Sequence, residues 1–167
     1  MRQSRMYSGA IALALGAILS IAGPAMAAEN FGAHLNGGQE TNPSISTIGT
    51  GFLFATLNDA ENTINYTLVY FDLQSPATVA HIHLGAPGVT GGVVAFLCGG
   101  GGKPACPASG AFLNASITAP DVVALPTQGI AAGDLAALVR AMRSGLTYAN
   151  VHNALFPPGE IRGQILQ

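Results

Sequence analysis

Two histidines stand one residue apart in Thr78-Val79-Ala80-His81-Ile82-His83-Leu84. If this segment is extended, His81 and His83 project to the same side, while Ala80, Ile82 and Leu84 make the opposite, apolar side. A third histidine sits in a similar setting near the C-terminus, where Tyr148, Asn150 and His152 alternate with Ala149 and Val151. Imidazoles at i and i+2 of one strand, joined by another from a second strand, suit copper or zinc, and Cu(II) in particular accepts a tetragonal nitrogen set. His81, His83 and His152 are therefore the expected ligands, with copper ahead of zinc. Glu160-Ile161-Arg162-Gly163-Gln164-Ile165 places Glu160, Arg162 and Gln164 opposite Ile161 and Ile165. Glu160 and Arg162 are thus expected beside the cluster, and an ion pair between them would hold the Arg162 cation aside. The plainer expectation is that these histidines are hydrogen-bonding members of a solvated face. His34 has no partner in sequence and is taken as structural or incidental.

Other candidate chemistry is weaker. The run Gly99 to Lys103 resembles a phosphate-binding loop, but that motif needs Ser or Thr after the Lys and then a helix, whereas Pro104 follows here. The chain contains no Gly-x-Ser-x-Gly elbow, and its carboxylates are scattered. Cys98 and Cys106 are too widely spaced for the two-residue redox motif and are expected to form a structural disulfide closing a glycine-rich loop. Asn65 and Asn114 open glycan-acceptor patterns, which matter only in a host that glycosylates. No catalytic residue is assigned, and a non-catalytic protein is expected, with a metal-dependent enzyme as the remoter reading.

Period-2 alternation dominates the elements that must position these residues. Strands are expected over 31–36, 51–58, 63–71, 78–84, 93–98, 111–118, 147–152 and 160–166, separated by Gly- and Pro-rich turns. One segment has helical period: Leu135, Leu138, Val139 and Met142 share a stripe, Asp134 can cap the start, and Gly145 can end it. An antiparallel sandwich or barrel of eight strands follows, with a helix over 134–144 as a lid.

The start of the chain has a different character. Arg2 and Arg5 precede an apolar run from Ala10 to Ala22, followed by Gly23-Pro24 and the small-x-small sequence Ala25-Met26-Ala27. Residues 1–27 read as a signal peptide cut after Ala27, leaving an exported domain, secreted or periplasmic, over 28–167 with no membrane span. Downstream of the leader, four Lys and Arg face eight Asp and Glu, a formal charge of −4. Without a basic patch, nucleic acid and anionic membrane surfaces are not expected partners.

Three blocks resemble the CHRD domain, the module named from chordin and also found as a stand-alone exported domain. They are Leu35-Asn-Gly-Gly-Gln-Glu40, Ala77-Thr-Val-Ala-His-Ile-His-Leu-Gly-Ala-Pro-Gly88, and Tyr148-Ala-Asn-Val-His-Asn153 with Pro158-Gly-Glu-Ile-Arg-Gly-Gln164. They run in the family's order across 31–167. Thr41-Asn42 stands where the family usually has Val-Pro, and the Cys98 to Cys106 loop looks like an insertion. The resemblance implies a β-sandwich with no established enzyme activity. The His-Ile-His strand is also similar to the copper-binding strand of copper-zinc superoxide dismutases, another eight-stranded Greek-key sandwich, although no zinc loop is visible. The expected function is an exported, non-catalytic CHRD binding module for a protein or surface ligand, with copper or zinc binding as the alternative.

Overall fold

A computed structural model describes residues 28–41 and 43–167. The expected leader lies outside them. Eight strands form in the order β1 (Glu29–Asn36), β2 (Thr50–Leu57), β3 (Thr63–Phe71), β4 (Ala77–Leu84), β5 (Gly92–Cys98), β6 (Leu113–Thr118), β7 (Thr147–Asn153) and β8 (Ile161–Gln164). A helix, α1 (Leu135–Arg143), precedes β7. All eight expected strands are present, with four ends trimmed: β2 stops one residue early, β6 starts two residues late, and β8 is shortened at both ends. β6 begins at Leu113 because Ala111 N–H closes a turn onto the Ala108 carbonyl, and β8 begins after Glu160.

The strands make one nearly closed antiparallel sheet in the order β5-β4-β7-β8-β1-β2-β3-β6. Its two halves face each other as in a sandwich, and the β3–β4, β5–β6 and β6–β7 connections cross between them in Greek-key fashion. β1 and β8 join the halves through the Asn36–Arg162 pair and a bridge between Gly32 and Leu166. The opposite seam, between β5 and β6, is covered by the segment after β6, whose Val123 N–H donates to the Val94 carbonyl of β5. Tyr66 Oη crosses the interior to the Leu97 carbonyl at 2.6 Å.

Inward positions supply the core: Leu35, Leu53, Leu68, Ile82, Leu97 and Ile161 are fully buried. Each such aliphatic contributes roughly 1.5–3 kcal/mol by leaving water. The helix adds Leu135, Leu138, Val139 and Met142 to this interior. The Asp134 side chain caps it by accepting from Ala137 N–H at 2.8 Å, and Gly145, with φ of 64°, lets the chain turn back into β7. Arg143 ties the helix end to Glu29 and Glu61.

Cys98 and Cys106 are bonded, with their Cα atoms 4.9 Å apart. Within the loop they close, Lys103 pairs with Asp121 at 2.7 Å and donates to the Ser116 carbonyl. The lysine of the glycine run thus fastens the loop to the end of β6.

Candidate metal centre

β4 and β7 are paired neighbours, with Val79 opposite His152, His81 opposite Asn150 and His83 opposite Tyr148. This register sets His152 diagonally across from His81, and both rings project to the side away from the Ile82 and Val151 core. His81 Nδ1 lies 3.1 Å from His152 Nε2. One donor atom from each of His81, His83 and His152 falls within 4.8 Å of the others. The three imidazoles thus come together as the alternation in their strands predicts.

The face they occupy differs from the expected solvated one. His83 is 9% exposed and His152 8%, His81 is partly buried, and every residue of β7 is buried. Alternation fixes which side of a strand a residue takes, but not whether loops cover that side. Here the turn after β4 and the β7–β8 connection close over it. Each loop contributes a carbonyl: His83 Nδ1 is 3.1 Å from Gly91 O, and His152 Nδ1 is 2.9 Å from Pro157 O.

Those carbonyls decide the tautomers, since a carbonyl can only accept. Both rings carry their proton on Nδ1 and leave Nε2 as a bare donor to a cation. His83 Nε2 is buried and has no hydrogen-bond partner, while His152 Nε2 faces His81. A backbone carbonyl behind the distal N–H is the arrangement that orients metal-bound histidines. Here His81 Nδ1–H donates to His152 Nε2; with metal–nitrogen bonds of about 2.0–2.1 Å, adjacent ligand nitrogens lie roughly 3 Å apart, so a metal would replace that proton at nearly the same spacing once His81 holds its proton on Nε2 instead. Drawing His83 in would require movement on the order of 1 Å.

Electrostatics keep the donors neutral. Burial lowers the His81 pKa to about 3, helped by the neighbouring His152 and His83. Burial also lowers His83 to about 4, against the Gly91 bond, with His152 and Arg162 adding to the depression. His152 is lowered by burial, against its Pro157 bond. Neutral imidazole is the form a metal requires.

The two residues expected beside the cluster separate. Glu160 is fully buried and accepts from Thr47 Oγ1, Gln74 N–H and Asn153 Nδ2, making no ion pair with Arg162. It precedes β8 and follows Gly159, whose φ is 132°, so strand alternation does not govern its direction. Arg162 does approach the cluster. Its Cζ lies 3.5 Å from the centroid of the Tyr148 ring, and His83 stacks on Tyr148 at 4.8 Å with planes 4° apart. The guanidinium donates to Thr41 Oγ1 and to the Ala86 and Val89 carbonyls.

Two participants were not singled out in the sequence. Tyr148 forms the stacked wall between His83 and Arg162, although it was visible as a member of the β7 polar row. Glu40, the last residue of the Leu35–Glu40 block, takes a 2.5 Å hydrogen bond from Asn150 Nδ2. Burial raises its pKa to about 7, opposed by that bond and by Arg162. Glycine at 159 is required for this pair, because a Cβ there would lie 2.4 Å from Asn150 Nδ2 and 2.6 Å from Glu40 Oε1. His34 is on the other half-sheet, hydrogen-bonded to Thr50 and stacked on Phe52, away from the cluster.

A family model described as CHRD domain matches residues 31–165. No curated protein and no solved structure matches the chain.

Proposed function

The chain belongs to the CHRD domain family, and we propose on that footing that it is an exported, non-catalytic binding module whose ligand is a metal ion. The observation that carries this is the convergence of the His81, His83 and His152 donors within 4.8 Å. Copper is preferred to zinc, since nitrogen sites bind Cu(II) more tightly than Zn(II). A binding role is supported by the engagement of the nearby carboxylates: Glu40 is tied to Asn150, and Glu160 is held by three donor residues. Export rests on residues 1–27 as a signal peptide, leaving 28–167 as the domain; sequencing the mature N-terminus tests it, with Ala28 expected first. Metal analysis of protein from its native host tests the ligand. About one copper or zinc per chain supports the proposal, whereas none, with no binding on titration, removes it.

A protein or surface ligand remains the second function. It is favoured by the outer face of the other half-sheet, where Phe54 is 57% exposed beside exposed Phe52, Asn65 and Asn114. Phe54→Ser should abolish adhesion to the host envelope if that face binds, with metal content unchanged.

A further inference from the structure

The outer face of β2, β3 and β6 carries two cross-strand rows, Phe54–Thr67–Asn114 and Thr56–Asn65–Ser116, set by the pairing registers of the three strands. Strand spacing and rise make these six side chains frame a rectangle of roughly 10 Å by 7 Å. They line a shallow trough of about 490 Å³ in which the Phe54 ring, 57% exposed, is the one large outward side chain. Much of the hydrogen-bonding capacity there is unspent. Thr67 Oγ1 donates to Asn114 Oδ1 at 2.7 Å and Thr56 Oγ1 to Asn30 Oδ1 at 2.9 Å, but among the described residues Asn114 Nδ2, the Asn65 amide and the Ser116 hydroxyl have no protein partner. No Asp, Glu, Lys or Arg lines the trough. Lys103, which donates to the Ser116 carbonyl, is paired with Asp121 at 2.7 Å. Along β2 the ring surface continues, with Phe52 6.3 Å from Phe54 in a nearly parallel plane and His34 stacked on Phe52 at 4.9 Å.

We propose that this face binds a neutral polysaccharide, with one sugar ring seated in the trough against Phe54 and the sugar chain running on over Phe52. A pyranose presents C–H bonds on its face and hydroxyls around its rim. The electron-rich phenyl face attracts the first. Hydroxyls both donate and accept, and so do the side-chain amides and hydroxyls of the two rows. The lack of charge decides against other occupants. A nucleic acid or an acidic polysaccharide would meet no cation here, although bases could stack on the rings. A protein partner is anchored by apolar side chains at the centre of its contact, whereas the centre of this trough is Asn65 and Thr67 on β3, with Phe54 to one side. The inference rests on the second function proposed above, a surface ligand on this half-sheet, and adds the chemistry of that ligand. It does not involve the histidine cluster.

The test titrates the exported protein with dextran, a mixed-linkage β-glucan and a galactomannan by calorimetry, with dextran sulfate as the charged control, and measures adhesion to the host envelope before and after periodate oxidation of its sugars. Binding of at least one neutral polymer is expected, changing by less than about twofold when salt is raised, since no ion pair forms. Phe54→Ser should lose at least about tenfold in affinity through the lost stacking, and Asn65→Ala about threefold through one neutral hydrogen bond. Should Phe54→Ser fail to fold, Asn65→Ala carries the test. Phe54-dependent adhesion that periodate abolishes supports the proposal whichever of the three polymers binds. Phe54-dependent adhesion that survives periodate, with no neutral polymer bound, overturns the polysaccharide and leaves the face as a site for another ligand. Absence of both adhesion and polymer binding overturns both readings. Equal affinity in folded Phe54→Ser and Asn65→Ala, or tighter binding of dextran sulfate than of every neutral polymer, overturns the inference. So does a glycan attached to Asn65 or Asn114 in protein from the native host, because it would fill the trough.

Discussion

Replacing Glu160 by glutamine separates the buried carboxylate of this fold from the metal centre it was expected to border. Glu160 Oε1 accepts from Thr47 Oγ1 at 2.6 Å and from Gln74 N–H at 3.0 Å, while Oε2 accepts from Gln74 N–H at 3.1 Å and from Asn153 Nδ2. An amide of the same shape must put an NH₂ group where one oxygen stood. At the Oε2 position it faces Asn153 Nδ2, which cannot flip without losing the bonds that Asn153 Oδ1 accepts from Leu155 and Phe156 N–H. At the Oε1 position it faces Gln74 N–H. Either way a buried donor is orphaned, which costs about 1–3 kcal/mol, and the remaining bonds lose charge assistance worth on the order of 1 kcal/mol. The sum, about 2–4 kcal/mol, corresponds to a fall in Tm of roughly 6–15 °C for a domain of this size. Copper affinity should change by no more than about threefold, because Pro157 O stays in place through bonds that do not involve the Glu160 side chain, including Gly159 N–H to Phe156 O and Glu160 N–H to Val151 O. Thermal unfolding of the metal-free protein and copper titration are the assays. An unchanged Tm would refute the hydrogen-bond account, and a tenfold loss of copper affinity would return Glu160 to the metal site.

Acid should destabilise the metal-free protein. His81 and His83 titrate near 3 and 4 when folded and near 6.5 when unfolded, so the unfolded chain binds more protons between those values. Stability is therefore full above pH 6.5 and declines as pH falls towards 4, by up to about 1.4 kcal/mol per pH unit for each histidine, a slope that urea titrations should find flattened in His83→Gln. Glu40 acts in the opposite sense. Its raised folded pKa, about 7, means that stability present at acid pH is lost as pH rises from the unfolded carboxylate range through 7; Glu40→Gln should remove that decline between about pH 4.5 and 7. Cu(II) at a hundredfold over the wild-type Kd should stabilise the wild type by about 2.7 kcal/mol in thermal unfolding and, at the same concentration, His83→Ala and His152→Ala by no more than about 1.4 kcal/mol. Reducing Cys98–Cys106 should cost roughly 2–3 kcal/mol, as expected for a short closed loop, without weakening copper binding.

Much of the fold was legible because its strands alternate. Ile64, Tyr66, Leu68 and Tyr70 point inward along β3, as their period of two requires, and Asp134 and Gly145 bound the helix at the ends their side chains dictate. The three histidines were legible for the same reason, each opposite aliphatic neighbours. Their burial was not, because it comes from loops that pass over the sheet and carry no periodic signal. Glu40 was equally hidden, since its contact with Asn150 spans 110 residues and depends on the backbone turn at Gly159. Glu160 misled because a period of two was extended one residue past the end of its strand. Arg162 lay near where it was expected, but its partner is the Tyr148 ring, a contact that strand order alone does not specify.

The central claim is that His81, His83 and His152 together bind one metal ion. Its most direct measurement is pulsed electron paramagnetic resonance of the protein loaded with one Cu(II) per chain, in the wild type and in His81→Ala, His83→Ala and His152→Ala. The wild-type spectrum should carry nitrogen couplings from three imidazoles, and each variant should lose one of them together with at least about tenfold in affinity. Spectra and affinities unchanged in all three variants would contradict the account, even if copper bound elsewhere on the chain.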